Sequence, residues 1–378
     1  MDTKTDGKAA PPPMVDLRRG RAPDVEIIAC DLYDFLISLR VALASPEFDF
    51  TAFDIGRGWI EAARAHCIAR DATALDVLGH FLGDGRAHSL HATLISLVWR
   101  CPEPRDVPHF LDWLGTLPVN EVVEVLLDQD GLGTDWPEVL AETLASPRSK
   151  ETQTRLLTRY IEDLWPTVSA VIDDPESTRV ALLAALRVWH EAAFAAEVPR
   201  LMPMVQREKA ALERRRSELP AHVFIQEAMR GVQWERPAGL RRIVLAPCYF
   251  GRPAVFYHFW RGTLTFCPPV DDARLEPARV GRHADDPAAD ILHFFEALGD
   301  DTRLRVLHLL SEREMYLTEL AERLDLTKAT TKHHMVKLRA AGLVTLYDRE
   351  RLTYYALRPD VARHAQDLLE QYLGKRES

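Results

Sequence analysis

The chain has 378 residues, 47% hydrophobic and 28% charged, and its 47 Lys and Arg against 57 Asp and Glu leave a net charge of −10. That length suggests two or three domains at roughly 150 residues each, and the acidic balance excludes nucleic-acid binding by overall charge, so any such contact needs a local basic patch. The five cysteines, Cys30, Cys67, Cys101, Cys248 and Cys267, are odd in number and never closely paired, which excludes a disulfide framework and reads as reduced, buried thiols.

Residues 1–23 are charged and Pro/Ala-rich, with Pro11, Pro12 and Pro13 in a row, a composition expected of a disordered leader rather than a secretory signal. VEIIA at Val25–Ala29 is a candidate strand. A largely helical pattern follows to about Arg230, with amphipathic segments at 31–44, 59–68, 72–81, 90–99 and 121–128, then two longer helices at 150–172 and 175–196. The most apolar stretch, Val180–Val198, carries Arg187, His190, Glu191 and Glu197, too many polar groups for a bilayer span of ~20 residues. In Arg207–Glu218 the cations Arg214, Arg215 and Arg216 interleave with Glu208, Glu213 and Glu218, the pattern of a solvated helix face. His66, Cys67, His80, His88, His91 and Cys101 cluster in sequence, but their spacing does not require a metal, and no metal or cofactor is assigned.

After Gly231 the period becomes strand-like at 242–246, 254–260 and 263–266, with Pro247, Gly251, Pro253 and Gly262 between the runs, which predicts a small antiparallel meander. Its aromatics read first as core; Tyr257, His258 and Trp260 are the candidates for lining a ligand pocket between the meander and the helices. Residues 24–267 thus form a mostly helical sensor or oligomerisation domain, 268–286 a Pro-rich linker, and 287–378 a separate C-terminal domain. The expected fold class is mainly α with a small antiparallel β portion.

In the C-terminal domain Ile291, Phe294, Phe295 and Leu298 make an apolar stripe, and helical spacing recurs in Leu304, Leu307 and Leu310 and in Leu317, Leu320, Ala321 and Leu324. Asp325 and Leu326 leave room only for a helix-to-helix corner, with Thr327 placed to cap the next helix. In that helix Thr331, Met335 and Leu338 share the inward face, while Ala329, Lys332, His333, Val336 and Lys337 share the outward one, and His334 lies nearer the core. Gly342 suits a left-handed helix stop; a strand at 343–347, a charged turn at 348–351 and a returning strand at 352–357 then form a wing. Between Thr327 and Arg358 the seven basic residues Lys328, Lys332, Lys337, Arg339, Arg349, Arg351 and Arg358 face only Asp348 and Glu350, a local basic footprint.

LGDDTRLRVLHLL, LTELAERLDLTKATTKHHMVKLRAAGLV and RLTYYAL resemble the winged helix-turn-helix of the bacterial ArsR/SmtB regulators. The resemblance covers residues 287–378, and the chain is similar to the long type, in which a further N-terminal domain precedes the module. It implies a homodimer presenting two recognition helices to successive major grooves of double-stranded DNA. Metal-sensing members carry a cysteine pair in the helix corresponding to Tyr316–Leu324, which has none here; Asp360, His364, Asp367 and Glu370 do not match the family's other metal pattern.

Lys328, Ala329, Thr330, Lys332, His333 and Lys337 are therefore the expected groove contacts, with Ala329 small enough to touch a thymine methyl. Arg349 and Arg351 are the expected phosphate contacts, which position without reading sequence. No glycine-rich phosphate loop, nucleophile elbow or zinc-hydrolase helix is present, so the expectation is not an enzyme but a cytoplasmic repressor modulated by an effector through the N-terminal domain. The alternative is a constitutive DNA binder whose N-terminal domain is an oligomerisation or protein-interaction scaffold.

Overall fold

The computed structural model describes residues 23–43, 53–82, 90–127, 136–145, 165–229, 239–252, 254–271, 274–275, 289–349, 352–358 and 361–374. The leader and most of the linker lie outside them, as do His88 and residues 150–164.

The N-terminal domain is built around one helix. Strand β1 (Asp24–Ile27) leads into α1 (Asp31–Ala42), all of whose residues except Arg40 are buried. A helix buried on nearly every side belongs in a core, and α1 shares one core with α2 (Gly56–Arg70), α3 (Ala74–Leu82), α4 (Leu90–Leu97), α5 (Val107–Thr116), α6 (Val119–Leu127), α7 (Trp136–Ala145), α8 (Trp165–Asp173), α9 (Pro175–Trp189) and α10 (Val198–Glu218), while α11 (Ala221–Ala228) belongs to a second cluster. Asp106 caps α5 by accepting the His109 backbone N–H at 2.9 Å, and Asp174 caps α9 by accepting that of Ser177 at 3.1 Å. Trp189 Nε1 donates to Ser38 Oγ at 3.1 Å, tying α9 to α1. The helix expected over 175–196 leaves α geometry at His190 and passes through a π turn and a 3₁₀ turn into α10. Pro199 suits the 3₁₀ turn at Ala195–Glu197, because its ring lacks an N–H and would clash with the Ala195 carbonyl in a continuous α-helix.

The expected antiparallel meander is corrected. The sheet has the order β1-β2-β4-β3, where β2 is Arg242–Leu245, β3 is Phe256–Trp260 and β4 is Thr263–Cys267. β1 pairs parallel with β2 and β2 parallel with β4; only the β3–β4 hairpin is antiparallel. Burial decides the order, since every residue of β4 is buried whereas β3 is half-exposed over Phe256–Phe259. The buried strand takes the centre and the half-exposed one the edge. Both faces are covered, as parallel sheets require: Val244 and Cys267 face the α1 core, while Ile243, Leu245, Leu264 and Phe266 pack on Phe224 and Ile225 of α11.

The C-terminal domain has its own core. It runs α12 (Ala289–Leu298), α13 (Asp301–Glu312), β5 (Met315–Tyr316), α14 (Leu317–Leu324), α15 (Lys328–Ala340), β6 (Val344–Arg349), β7 (Leu352–Leu357) and α16 (Val361–Leu373), with an antiparallel sheet ordered β5-β7-β6. β6 pairs Asp348 with Thr353 and Arg349 with Leu352, so the wing strands continue into what was expected to be a four-residue turn. Arg303 joins the first two helices of the domain. Its Nε and Nη2 donate to the carbonyls of Ala297 and Glu296, each at 2.7 Å, adding partners to the last carbonyls of α12.

Candidate nucleic-acid interface

The corner between α14 and α15 is set by Asp325, which adopts φ +56°, a left-handed conformation that Asp tolerates better than most residues. The Leu326 N–H then returns to the Ala321 carbonyl at 2.9 Å. Thr327 caps α15, its Oγ1 accepting the Thr330 N–H at 3.1 Å. Gly342 stops the helix at φ +67°.

These two ends hold α15 with Thr331, Met335 and Leu338 buried against the domain core. Thr331 keeps its hydroxyl satisfied by donating to the Thr327 carbonyl at 3.0 Å. The opposite face carries Lys328, Thr330 and Lys332, all exposed, with His333 and Lys337 half-buried beside them. Thr330 Oγ1 lies 2.9 Å from Thr327 Oγ1, so this hydroxyl is held in place. The side chain of Ala329 is outside the described set; Arg349 is placed only by its backbone in β6, and Arg351 lies outside the described residues.

His334 turns inward toward Asp300, with Nδ1 3.7 Å from Oδ1. Burial lowers its pKa although Asp300 pulls the other way. Burial opposes ionisation of Asp300 as well, yet the Arg303 backbone N–H and guanidinium, His334 and Lys337 together hold its carboxyl below the usual range. The groups around Asp300 thus include Lys337 but neither of the exposed lysines Lys328 and Lys332.

Arg339 departs from the basic footprint. Its Nη2 donates to the carbonyl of Val255 in the N-terminal domain at 2.5 Å, so this cation contacts the chain's own body. Nothing in the local pattern of α15 signals that contact, because its partner lies in another domain.

Of the three residues expected to line a pocket, His258 Nδ1 is 2.7 Å from Ser96 Oγ, Tyr257 stacks on Phe266, and Trp260 is buried beneath the Arg261 guanidinium. A cavity of about 460 Å³ lies elsewhere, between the end of β1, the start of α5 and α10, and those three residues do not line it. Among the described residues no group of three or more His, Cys, Asp or Glu side chains is arranged to hold a metal, and no helix is long and apolar enough to cross a membrane.

Residues 298–347 match a helix-turn-helix domain family. The C-terminal region is 32% identical over 90 residues to a cadmium resistance transcriptional regulatory protein CadC homolog of Staphylococcus aureus, covering 23% of this chain and 72% of that one. The chain belongs to the ArsR/SmtB family. The Mycobacterium tuberculosis regulator KmtR is 40% identical over 60 residues, 16% of this chain and 46% of its own. HlyU from Vibrio cholerae N16961, a solved structure, is 26% identical, with 22% of this chain and 90% of that one covered at a TM-score of 0.19. The family likeness makes the chain a DNA-binding transcriptional regulator and is confined to the C-terminal quarter. α14 carries no cysteine.

Proposed function

We propose that the protein is a homodimeric repressor in the cytoplasm, whose α15 enters the major groove through Lys328, Ala329, Thr330, Lys332, His333 and Lys337 while Arg349 and Arg351 on the wing hold phosphate. The observation that carries this reading is the division of α15 into a buried face of Thr331, Met335 and Leu338 and an exposed face bearing Lys328, Thr330 and Lys332. Lysines spread along one exposed face of a rigidly capped helix suit a phosphate-lined groove.

Dimerisation is supported by the apolar surface that the domain leaves open. Leu292 and Phe295 of α12, Leu304 of α13, and Leu369 and Leu373 of α16 are large exposed hydrophobics, and exposed apolar groups shared among neighbouring helices suit a self-complementary two-fold interface. An effector acting through the N-terminal domain is favoured over a pure scaffold by the cavity of about 460 Å³, which falls in the usual range for small-molecule sites. An effector releases DNA only by preferring the conformation that cannot hold it.

Mapping the protein on genomic DNA by immunoprecipitation and sequencing gives the operator. On that DNA the double variant Lys328→Ala, Lys332→Ala removes four contacts from the dimer and should weaken binding on the order of 1,000-fold, at roughly 1 kcal/mol per lost contact, with dimer mass and melting temperature unchanged. Unchanged affinity would remove α15 from the groove.

A further inference from the structure

We propose that the N-terminal domain binds a small organic amine with an apolar body in the cavity at the carboxyl end of β1, with the Asp31 carboxylate as counter-ion. The proposal deepens the effector reading above and rests on it for the consequence at DNA, though not for binding itself.

Position is the first argument. The cavity opens at the carboxyl end of edge strand β1, where the chain turns into α1. Its other walls are the segment that leads into α5 and one side of α10.

The second argument is a buried carboxylate oxygen without a partner. Asp31 lines the cavity and is only 6% exposed, yet its buried Oδ1 has no hydrogen-bond partner. Burial, helped by the neighbouring charge of Asp106, raises this carboxyl to about 6, although the backbone N–H groups of Val107 and of Asp31 itself hydrogen-bond to it and pull the other way. The nearby cations are engaged elsewhere. Arg105 lies 3.5 Å from Glu26 and 3.4 Å from Glu103, and it donates to the carbonyls of Cys101 and Trp99. Lys209 Nζ is 3.5 Å from Glu213.

Ligand chemistry follows from the lining. Four carboxylates, Glu26, Asp31, Glu103 and Asp106, stand against Arg105 and Lys209, which disfavours an anion. A metal ion needs several converging ligands, and no such group exists among the described residues. An ammonium needs a single carboxylate, and Ile28, Val198 and Met202 give its carbon body an apolar wall.

The site is also wired toward the DNA-binding domain. α10, which contributes Val198, Met202 and Lys209 to the cavity, grips the stretch leading out of the N-terminal domain: Glu208 Oε2 accepts the Asp271 N–H at 3.2 Å, and Arg207 donates to the Arg274 carbonyl at 3.1 and 2.8 Å. A ligand that shifts α10 therefore pulls on the segment joining the two domains.

Calorimetric titration of the full chain with hexylamine and phenethylamine tests the site, with hexan-1-ol and 2-phenylethanol as uncharged counterparts. Both amines should bind more tightly than the alcohols, at least about 10-fold, the value of one buried charged contact. Asp31→Asn should remove that advantage, and wild-type affinity should rise roughly fourfold from pH 5.5 to 7.5 as Asp31 ionises. Asp31→Asn deletes a buried charge, so it should fold at least as stably as the wild type. Met202→Trp fills the cavity without touching the carboxylate and should also abolish binding. Amines that do not bind, or that bind Asp31→Asn or Met202→Trp as well as wild type, overturn the proposal. Operator affinity measured separately by fluorescence anisotropy distinguishes the two failures: retained DNA binding without amine binding removes this site alone, whereas amine binding that leaves DNA affinity unmoved removes the effector role and keeps the site.

Discussion

Asp34 shows how a single buried carboxyl ties the halves of the N-terminal domain together. It lies on α1 with no exposure, and its Oδ1 accepts the backbone N–H groups of Tyr249 and Phe250, both at 2.7 Å, so the loop after β2 is anchored to the central helix. Burial drives this carboxyl up to about 7, and the two hydrogen bonds only partly oppose it. Because the folded value lies above the ordinary aspartate value of 3.8, the folded state holds the proton more tightly. That contribution to stability is complete below the unfolded value and is lost as pH rises through about 7. Asp31, raised to about 6, acts in the same direction, while His334, lowered by burial, acts in the opposite one. Asp34→Asn keeps an oxygen for the two N–H groups and cannot ionise. Urea melts at pH 5 and pH 8 should therefore show the variant losing about 2 kcal/mol less than wild type across that interval. An unchanged pH dependence would mean that Asp34 does not titrate there.

At the scale of elements, α15 was legible and the N-terminal sheet was not. The two faces of α15 follow from residue spacing alone, the Thr327 cap from its place before the helix, and the stop from Gly342, because each is decided within a few residues. The sheet was misread as a meander because strand order depends on what covers each strand. TLTFC and FYHFW have equal claims to be strands, but only the finished packing sends the first to the centre and the second to the edge. The Arg339–Val255 bond was illegible for the same reason. Arg339 stands seven residues beyond Lys332, almost two full turns, and so on the same side of the helix. The N-terminal domain thus holds the far end of the side of α15 that carries Lys332. Arg339→Met removes a charged hydrogen bond of about 1.5–3 kcal/mol while keeping most of the side-chain bulk. Scanning calorimetry should show the C-terminal domain melting separately and earlier in this variant; a transition identical to wild type would show that the contact does not couple the domains.

For the whole molecule the governing fact is that a chain of net charge −10 must approach a polyanion. Long-range repulsion is screened beyond roughly 8 Å at physiological salt, so the encounter is controlled by the cations brought to the surface of the C-terminal domain. The proposed dimer would double them. Phe295→Asp with Leu373→Asp places charge in the exposed apolar face without touching α15, since these side chains are 38% and 58% exposed; sedimentation should show a monomer, and operator affinity should fall because only one half-site is held. Salt dependence then separates charge from assembly. Each neutralised phosphate contributes about 0.9 to the slope of log affinity against log salt. Removing Lys328 and Lys332 from both protomers should lower that slope by roughly 3 to 4 if all four lysines meet phosphate. A lysine that reads a base edge instead changes affinity with a smaller change in slope, so the measurement distinguishes positioning contacts from reading contacts. A slope unaffected by the double variant would place the DNA away from the exposed face of α15.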